Sequence, residues 1–318
     1  MKICVTGGGG FIGHHLVTRL KADGHWVRGV DLKKPEFQPT FADEFLILDL
    51  RNPMDVVPAI EGVERVFHLA ANMGGIGFIE THKAEIVQDN TLIDLNVLEA
   101  SKGLGVKRIL YTSSACVYPA YLQQDEQAKP LKEDDAYPAM PEDGYGWEKL
   151  YAERMFRHFQ EDYGLDSRIV RFHNIYGELG AYEGGREKSP AAICRKVALA
   201  KDVDEIEVWG DGEQVRTYCY IADCVDGLLK IMNSGYRSPI NLGTDRDVTI
   251  SQLVDIISKI AGKTIRKRYD LSKPKGVRSR SADTTLLEKI TGWKPSTSLE
   301  TGLEKTYAWI EQELRKPH

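Results

Sequence analysis

Two rhythms of apolar residues alternate along the first half of the chain. Short unbroken apolar runs, KICVT (2–6), WVRGVD (26–31), EFLILDL (44–50), RVFHLAA (65–71) and RILYTSSACVY (108–118), read as strands covered on both faces. Between them, FIGHHLVTRLKADG (11–24) puts Ile12, Leu16 and Leu20 on one helical face, with Gly24 as its stop. A short helix is expected near 53–60. TLIDLNVLEASKGLG (91–105) spaces Leu92, Leu95, Val97 and Leu98 as a helix ending in glycine. Repeated βα units of this kind predict an α/β fold, a doubly wound parallel sheet with helices on both faces.

After residue 120 the pattern loosens. YLQQDEQAKPLKEDDAYPAMPED (121–143) is polar and proline-dotted, and reads as an active-site loop or lid, because a helix (145–163) and a strand (168–172) resume the alternation. A glycine-rich stretch (178–190) and the helix AAICRKVALA (191–200) follow. No linker, repeat or low-complexity segment interrupts the chain. The expected division is 1–176 for the sheet, with about 216–243 returning to it, and 177–318 for a smaller α/β part built on top.

Composition narrows the class. With 318 residues, 42% hydrophobic and 28% charged, the chain is neither disordered, collagen-like nor a coiled coil. No apolar stretch reaches the ~20 residues of a membrane helix, and the amino terminus reads as a strand rather than a signal peptide. Five cysteines, odd in number and without CxxC spacing, support neither a disulfide framework nor a metal site. They read as free thiols of a cytoplasmic protein. The net charge of -5 argues against a nucleic-acid partner.

The chemistry is concentrated in two places. VTGGGGFIG (5–13) joins a strand to a helix and holds glycines at 8, 10, 13 and at 7, 10, 13. Such a loop turns tightly and brings backbone N–H groups to a pyrophosphate at the helix start. Gly7, Gly10, Phe11, Ile12 and Gly13 are the expected contacts. Asp31, closing the second strand, suits the ribose hydroxyls and repels a 2′-phosphate, which favours NAD over NADP; Lys33 and Lys34 oppose that preference. Downstream, Tyr145 and Lys149 stand four apart on one helical face. A close ammonium, a cofactor's ring charge and hydrogen bonds are expected to draw the phenol down so that it accepts an alcohol's proton, with Ser114 bonding the same alcohol.

TGGGGFIG, HLAA (68–71), Asn90, SSACVY (113–118), Tyr145-x-x-x-Lys149, RFHNIYG (171–177), EVWGDGEQVRTYCYIAD (207–223), NLG (241–243) and GWKP (292–295) run through the whole chain. On these strings it resembles the extended short-chain dehydrogenase/reductase family, the nucleotide-sugar epimerases and dehydratases. The resemblance implies a Rossmann-like sheet with a smaller substrate-binding part, bound NAD, transient oxidation of a sugar C4, and a homodimer. AANMGGIGFI (70–79), SSACVYP (113–119) and GGREKSPAAICRK (184–196) are similar to the members that invert C3 and C5 of a GDP-sugar. For the proton exchange it implies Cys116 and Lys188. By themselves these read as a small buried hydrophobe and a solvated charge. It also implies Gly74, Ser114, Asn174, Glu187, Lys196, Gln214, Arg216 and Arg280 on the substrate, and Asp49 beside Asp31 on the adenosine half. The basic run Lys263, Arg266, Lys267, Arg268, Lys273, Lys275, Arg278, Arg280 faces one acid, Asp270. Such a run is usually a solvated face, and Arg280 rather than Arg278 is expected at the diphosphate. A UDP-sugar 4-epimerase, a 4,6-dehydratase and a non-catalytic NAD(H) sensor stay open as rivals.

Overall fold

The computed structural model describes residues 1–125, 129–273 and 276–316, so Lys275 of the basic run lies outside the described residues. The first 172 positions form β1 (Lys2–Thr6), α1 (Phe11–Ala22), β2 (Trp26–Asp31), β3 (Glu44–Ile47), α2 (Pro53–Ile60), β4 (Arg65–His68), α3 (Ile76–Thr81), α4 (Lys83–Gly103), β5 (Arg108–Ser114), α5 (Asp143–Tyr163) and β6 (Ser167–Phe172). Then come β7 (Asn174–Tyr176), α6 (Ser189–Leu199), β8 (Asp204–Trp209), β9 (Val215–Tyr220), α7 (Ile221–Asn233), β10 (Pro239–Leu242), β11 (Asp247–Thr249), α8 (Ile250–Ile260), β12 (Ile265–Asp270), β13 (Ser279–Arg280), α9 (Thr285–Thr291) and α10 (Leu299–Leu314).

Seven parallel strands make the main sheet in the order β10-β6-β5-β4-β1-β2-β3. The order reverses direction between β1 and β4, which opens a crevice at their carboxyl ends. Local chemistry sets the helix limits. Asn52 caps α2 by accepting from the Met54 N–H, with Pro53 at the first position. Gly164 ends α5 in the left-handed conformation.

Three expected strands are too long by three or four residues. Those beginning at 44, 65 and 108 stop at Ile47, His68 and Ser114, because their next residues leave the ladder to wall the crevice. The helix expected to begin at 91 starts at Lys83 instead.

Of the segment 216–243, α7 lies beside α1 over the main sheet and β10 joins its edge. β9 does not; it pairs with β7, β11 and β13 in a second sheet. One apolar core runs from Ile3, Leu16 and Leu110 under the main sheet to Ile193, Val208 and Leu253 beyond it. The two sheets therefore share a single desolvated interior, whose continuity holds the second against the first.

Candidate active site

A cleft of about 1010 Å³ opens at the carboxyl ends of β1 and β4. At one end it is lined by Gly7, Gly10, Phe11, Ile12, Gly13, Asp31 and Asp49, and in its middle by Ser114, Cys116, Tyr145 and Lys149. Gly74, Asn174, Glu187, Lys188, Lys196, Gln214, Arg216 and Arg280 line the rest. Arg278 does not line it; its guanidinium pairs with Asp211 at 2.7 Å. Elsewhere in the basic run Lys267 pairs with Asp255 and Arg268 with Glu205 and Glu207.

The glycine end fits a dinucleotide. A Cβ on Gly13 would stand 2.0 Å from the Gly7 carbonyl, and Gly7 itself has φ +71, so the turn admits no side chain at either. α1 begins at Gly10 with no side-chain cap and no acid in its first turn, leaving its N–H groups and dipole to an anion. Asp31 accepts from the Gly9 N–H at 3.0 Å and the Leu32 N–H at 2.7 Å, which holds the carboxylate at the loop. Lys33 is paired with Glu36 at 2.9 Å, which offsets its pull on a 2′-phosphate. Asp49 is bound by Arg51 at 2.7 Å.

In the middle, β5 gives way to a single 3-10 turn, Ala115–Val117, instead of continuing to Tyr118. Ser114 caps that turn through the Cys116 N–H at 3.2 Å, and Cys116 comes to face the cleft half-buried. A Cβ on Gly146 would stand 2.3 Å from the Cys116 carbonyl, so only glycine lets α5 bring Tyr145 this close. Ser114 reaches the Tyr145 hydroxyl. Of the three influences expected to lower the phenol together, the ammonium and the hydrogen bond are supplied by Lys149 and Ser114. Burial pushes Tyr145 up, and Lys149 only partly offsets it. The ammonium is 5.9 Å from the Tyr145 ring centre and donates to the Tyr111 hydroxyl at 3.1 Å.

The far end is crowded with cations. Burial pushes Arg216 down to about 10, with Arg280 adding repulsion, and burial likewise lowers Lys188 and Lys196. Cations held so uncomfortably suit an anion of two or more charges. Gln214 is buried with its Oε1 lacking a protein partner, another group directed at a ligand. Asn174 donates to the Thr217 carbonyl at 3.0 Å, Lys196 to the Glu207 carbonyl at 2.7 Å, and Glu187 accepts from the Gly185 N–H at 2.7 Å. Arg280 is held on three sides: Nη1 to Cys116 Sγ at 3.4 Å, Nη2 to Glu142 at 2.6 Å and Nε to Gln123 at 2.6 Å. It thus meets the thiol of the middle station. Lys188 lies close enough to Cys116 for their charges to interact.

Sequence reasoning missed Gln123 and Glu142, which aim Arg280, and Tyr111, which receives Lys149. It missed Arg186 too, whose guanidinium stacks 3.9 Å from the Phe78 ring centre and donates to the Met73 carbonyl, clasping the two loops across the cleft. Gln123, Glu142 and Tyr111 stand outside the quoted motifs, and Arg186, inside GGREKSPAAICRK, is marked there by nothing that sets it apart from its neighbours.

A sequence model of the NAD dependent epimerase/dehydratase family matches residues 3–243. GDP-mannose 3,5-epimerase of Arabidopsis thaliana is 43% identical over 318 residues, 99% of this chain and 84% of that protein. Among solved structures, UDP-glucose 4-epimerase from Thermotoga maritima, with UDP-glucose, aligns at TM-score 0.90 and 28% identity, covering 99% of this chain and 100% of that one. UDP-glucuronic acid 4-epimerase from Bacillus cereus, in complex with UDP-glucuronic acid and NAD, aligns at 0.84 and 26%, covering 98% and 100%.

Proposed function

This chain belongs to the NAD dependent epimerase/dehydratase family and is an enzyme with NAD as cofactor, and we propose that it inverts C3 and C5 of GDP-mannose to give GDP-L-galactose, with GDP-L-gulose where C5 alone is inverted. The observation that carries the reading is Cys116, held by Arg280 and facing Lys188, beside the Ser114, Tyr145 and Lys149 group. A UDP-sugar 4-epimerase needs only the latter three, and a 4,6-dehydratase usually has an acidic pair where Ala115 and Cys116 stand.

Gly7, Gly10, Phe11, Ile12, Gly13, Asp31 and Asp49, with Tyr145 and Lys149, hold the cofactor in this reading. When bound there, NAD would supply a reversible oxidant for C4 and the positive charge of its oxidised ring. Tyr145 takes the proton of the C4 hydroxyl, which Ser114 orients. Beside a C4 ketone, the C3 and C5 protons become acidic because their carbanions delocalise as enolates. Cys116 and Lys188 remove and return those protons from opposed sides of the ring. Arg216, Lys196, Gln214, Asn174, Glu187 and Gly74 hold the nucleotide diphosphate and sugar, and Arg280 joins them while its Nη1 contacts the Cys116 sulfur.

The test offers GDP-mannose, UDP-glucose and dTDP-glucose separately and follows new diastereomers by NMR. Only GDP-mannose is expected to react, and in D2O deuterium enters C5 and C3 while C4 keeps its hydrogen. Cys116→Ala is expected to lose that exchange by about 10²-fold or more while a 4-keto sugar accumulates. Turnover of UDP-glucose alone, or exchange at the wild-type rate in Cys116→Ala, overturns the reading.

The division of labour follows the chain: 1–176, with α7 and β10, for NAD, and the rest for the nucleotide sugar. A homodimer through α4 and α5 completes the proposal. Val87, Leu92 and Leu95 on α4 and Trp147 and Tyr151 on α5 are exposed apolar residues on two helices that pack together. Among the described residues no helix is long and apolar enough to cross a membrane. Five unpaired cysteines support a reducing, cytoplasmic setting.

A further inference from the structure

Beneath Lys149 lies a set of buried polar groups that the chemistry above does not use. Asp94 and Glu148, from α4 and α5, are 0% and 3% exposed, and Lys149 is 2% exposed. Their hydrogen bonds can be traced atom by atom. The Thr6 hydroxyl accepts from the Leu69 and Ala70 N–H groups at 3.2 and 3.3 Å, so its own proton goes to His68 Nδ1 at 2.7 Å. That leaves His68 Nε2 to donate to Asp94 Oδ1 at 2.8 Å. Tyr111 accepts from Lys149, and its hydroxyl lies on the Asp94 side of the ammonium. Asn90 donates to Glu148 Oε2 at 3.1 Å, its own Oδ1 being taken by the Asn72 N–H.

Two oxygens remain. Asp94 Oδ2 and Glu148 Oε1 are buried, and neither receives a hydrogen bond from any N–H or O–H group. The two carboxyl groups lie within hydrogen-bonding reach of each other, and Glu148 Oε1 is 4.0 Å from the Lys149 ammonium. Two buried carboxylates facing each other with no donor between them repel strongly, and one ammonium balances only one of them. A single proton placed between them satisfies both oxygens and makes the group neutral.

We propose that Glu148 is a positioning residue: it keeps a proton at neutral pH, donated from Oε1 to Asp94, so that the charge of Lys149 is answered once, by Asp94, and the rest of its field acts on Tyr145. Burial and the Asp94 charge both push Glu148 up, to about 8, although Lys149 and Asn90 pull the other way. For Asp94, burial alone would raise the carboxyl, but Lys149 and His68 outweigh it and keep it ionised. Tyr145, Lys149, Tyr111, His68, Asn90 and Asp94 are the polar groups set around Glu148, and Glu153 one turn on is already paired with Arg171 at 2.7 Å. Losing the proton above pH 8 would place a second negative charge near the Tyr145 phenol and push it further up. The kinetic consequence rests on the role proposed for Tyr145; the proton itself does not.

The experiment therefore has two readouts on the NAD-bound protein. Infrared spectra should show the carbonyl stretch of a protonated, buried carboxyl at pH 7, shifted in D2O and fading as the pH rises to 9. The band should be missing from Glu148→Gln. It should also be missing from Asp94→Asn, where Glu148 remains but, freed of a charged neighbour, ionises against Lys149. Absence of the band in the wild-type protein, or its survival in Glu148→Gln, overturns the proposal. The second readout is the single-turnover rate of GDP-mannose oxidation, followed by absorbance of the reduced cofactor. The ratio of Glu148→Gln to wild-type rates is expected to rise about threefold or more from pH 7 to pH 9. A constant ratio removes the link to Tyr145. No oxidation of any GDP-sugar by the wild type refutes the proposed function and leaves the infrared result standing.

Discussion

Lys149 and Lys188 face the same cleft and are driven in opposite directions. Lys149 is buried among acids: burial would lower its ammonium, but the negative charge around it outweighs that and keeps it charged. For Lys188 burial lowers the ammonium, and the thiols Cys116 and Cys224 beside it do not offset that. The first is built as a permanent cation and the second as a group able to give up its proton. One residue type serves both purposes because the protein sets the company each one keeps.

The strongest way to break the comparison is at the group Lys149 serves. Tyr145→Phe is expected to reduce GDP-mannose turnover by about 10³-fold or more, with NAD still released in full on denaturation. Turnover near the wild-type rate would mean that the Lys149 charge has another purpose. Next comes Lys188→Arg, which keeps the charge but cannot surrender a proton near neutrality. Deuterium exchange is expected to fall by about 10²-fold while the 4-keto sugar still forms; retained exchange would make Lys188 a charge like Lys149. The smallest effect is expected from Arg280→Gln, which leaves both lysines in place and withdraws the guanidinium from Cys116. Alkylation of Cys116 by iodoacetamide at pH 7 should slow several-fold, and an unchanged rate would show that Arg280 serves only the substrate.

The two stations also differ in how far they can be read from residues in order. Gly7 to Gly13 and the Tyr145/Lys149 pair lie within short stretches whose backbone geometry is set locally, so spacing alone points to a pyrophosphate loop and to two side chains on one helical face. Cys116 and Lys188 stand 72 positions apart, and nothing in either stretch taken alone distinguishes them from a packed thiol and a surface charge. Arg280 is farther still, reaching Gln123 and Glu142 across 157 and 138 positions. The strand expected to run to Tyr118 shows the same limit. An apolar run records that residues are buried, but it does not record that the chain leaves the ladder at Ser114 to turn Cys116 into a cleft.

What the sequence determined by itself is therefore what acts over a few residues: the alternation of strands and helices, the caps at Asn52 and Gly164, the glycine turn, and the i, i+4 phenol and ammonium. Tertiary structure decided the charges. The i, i+4 spacing brings Lys149 to Tyr145, yet burial opposes the lowering of the phenol, and Tyr111, Asp94 and Glu148 arrive from β5, α4 and α5 to set the balance. The reason is that desolvation and Coulomb interactions depend on distance through the folded interior rather than on separation along the chain.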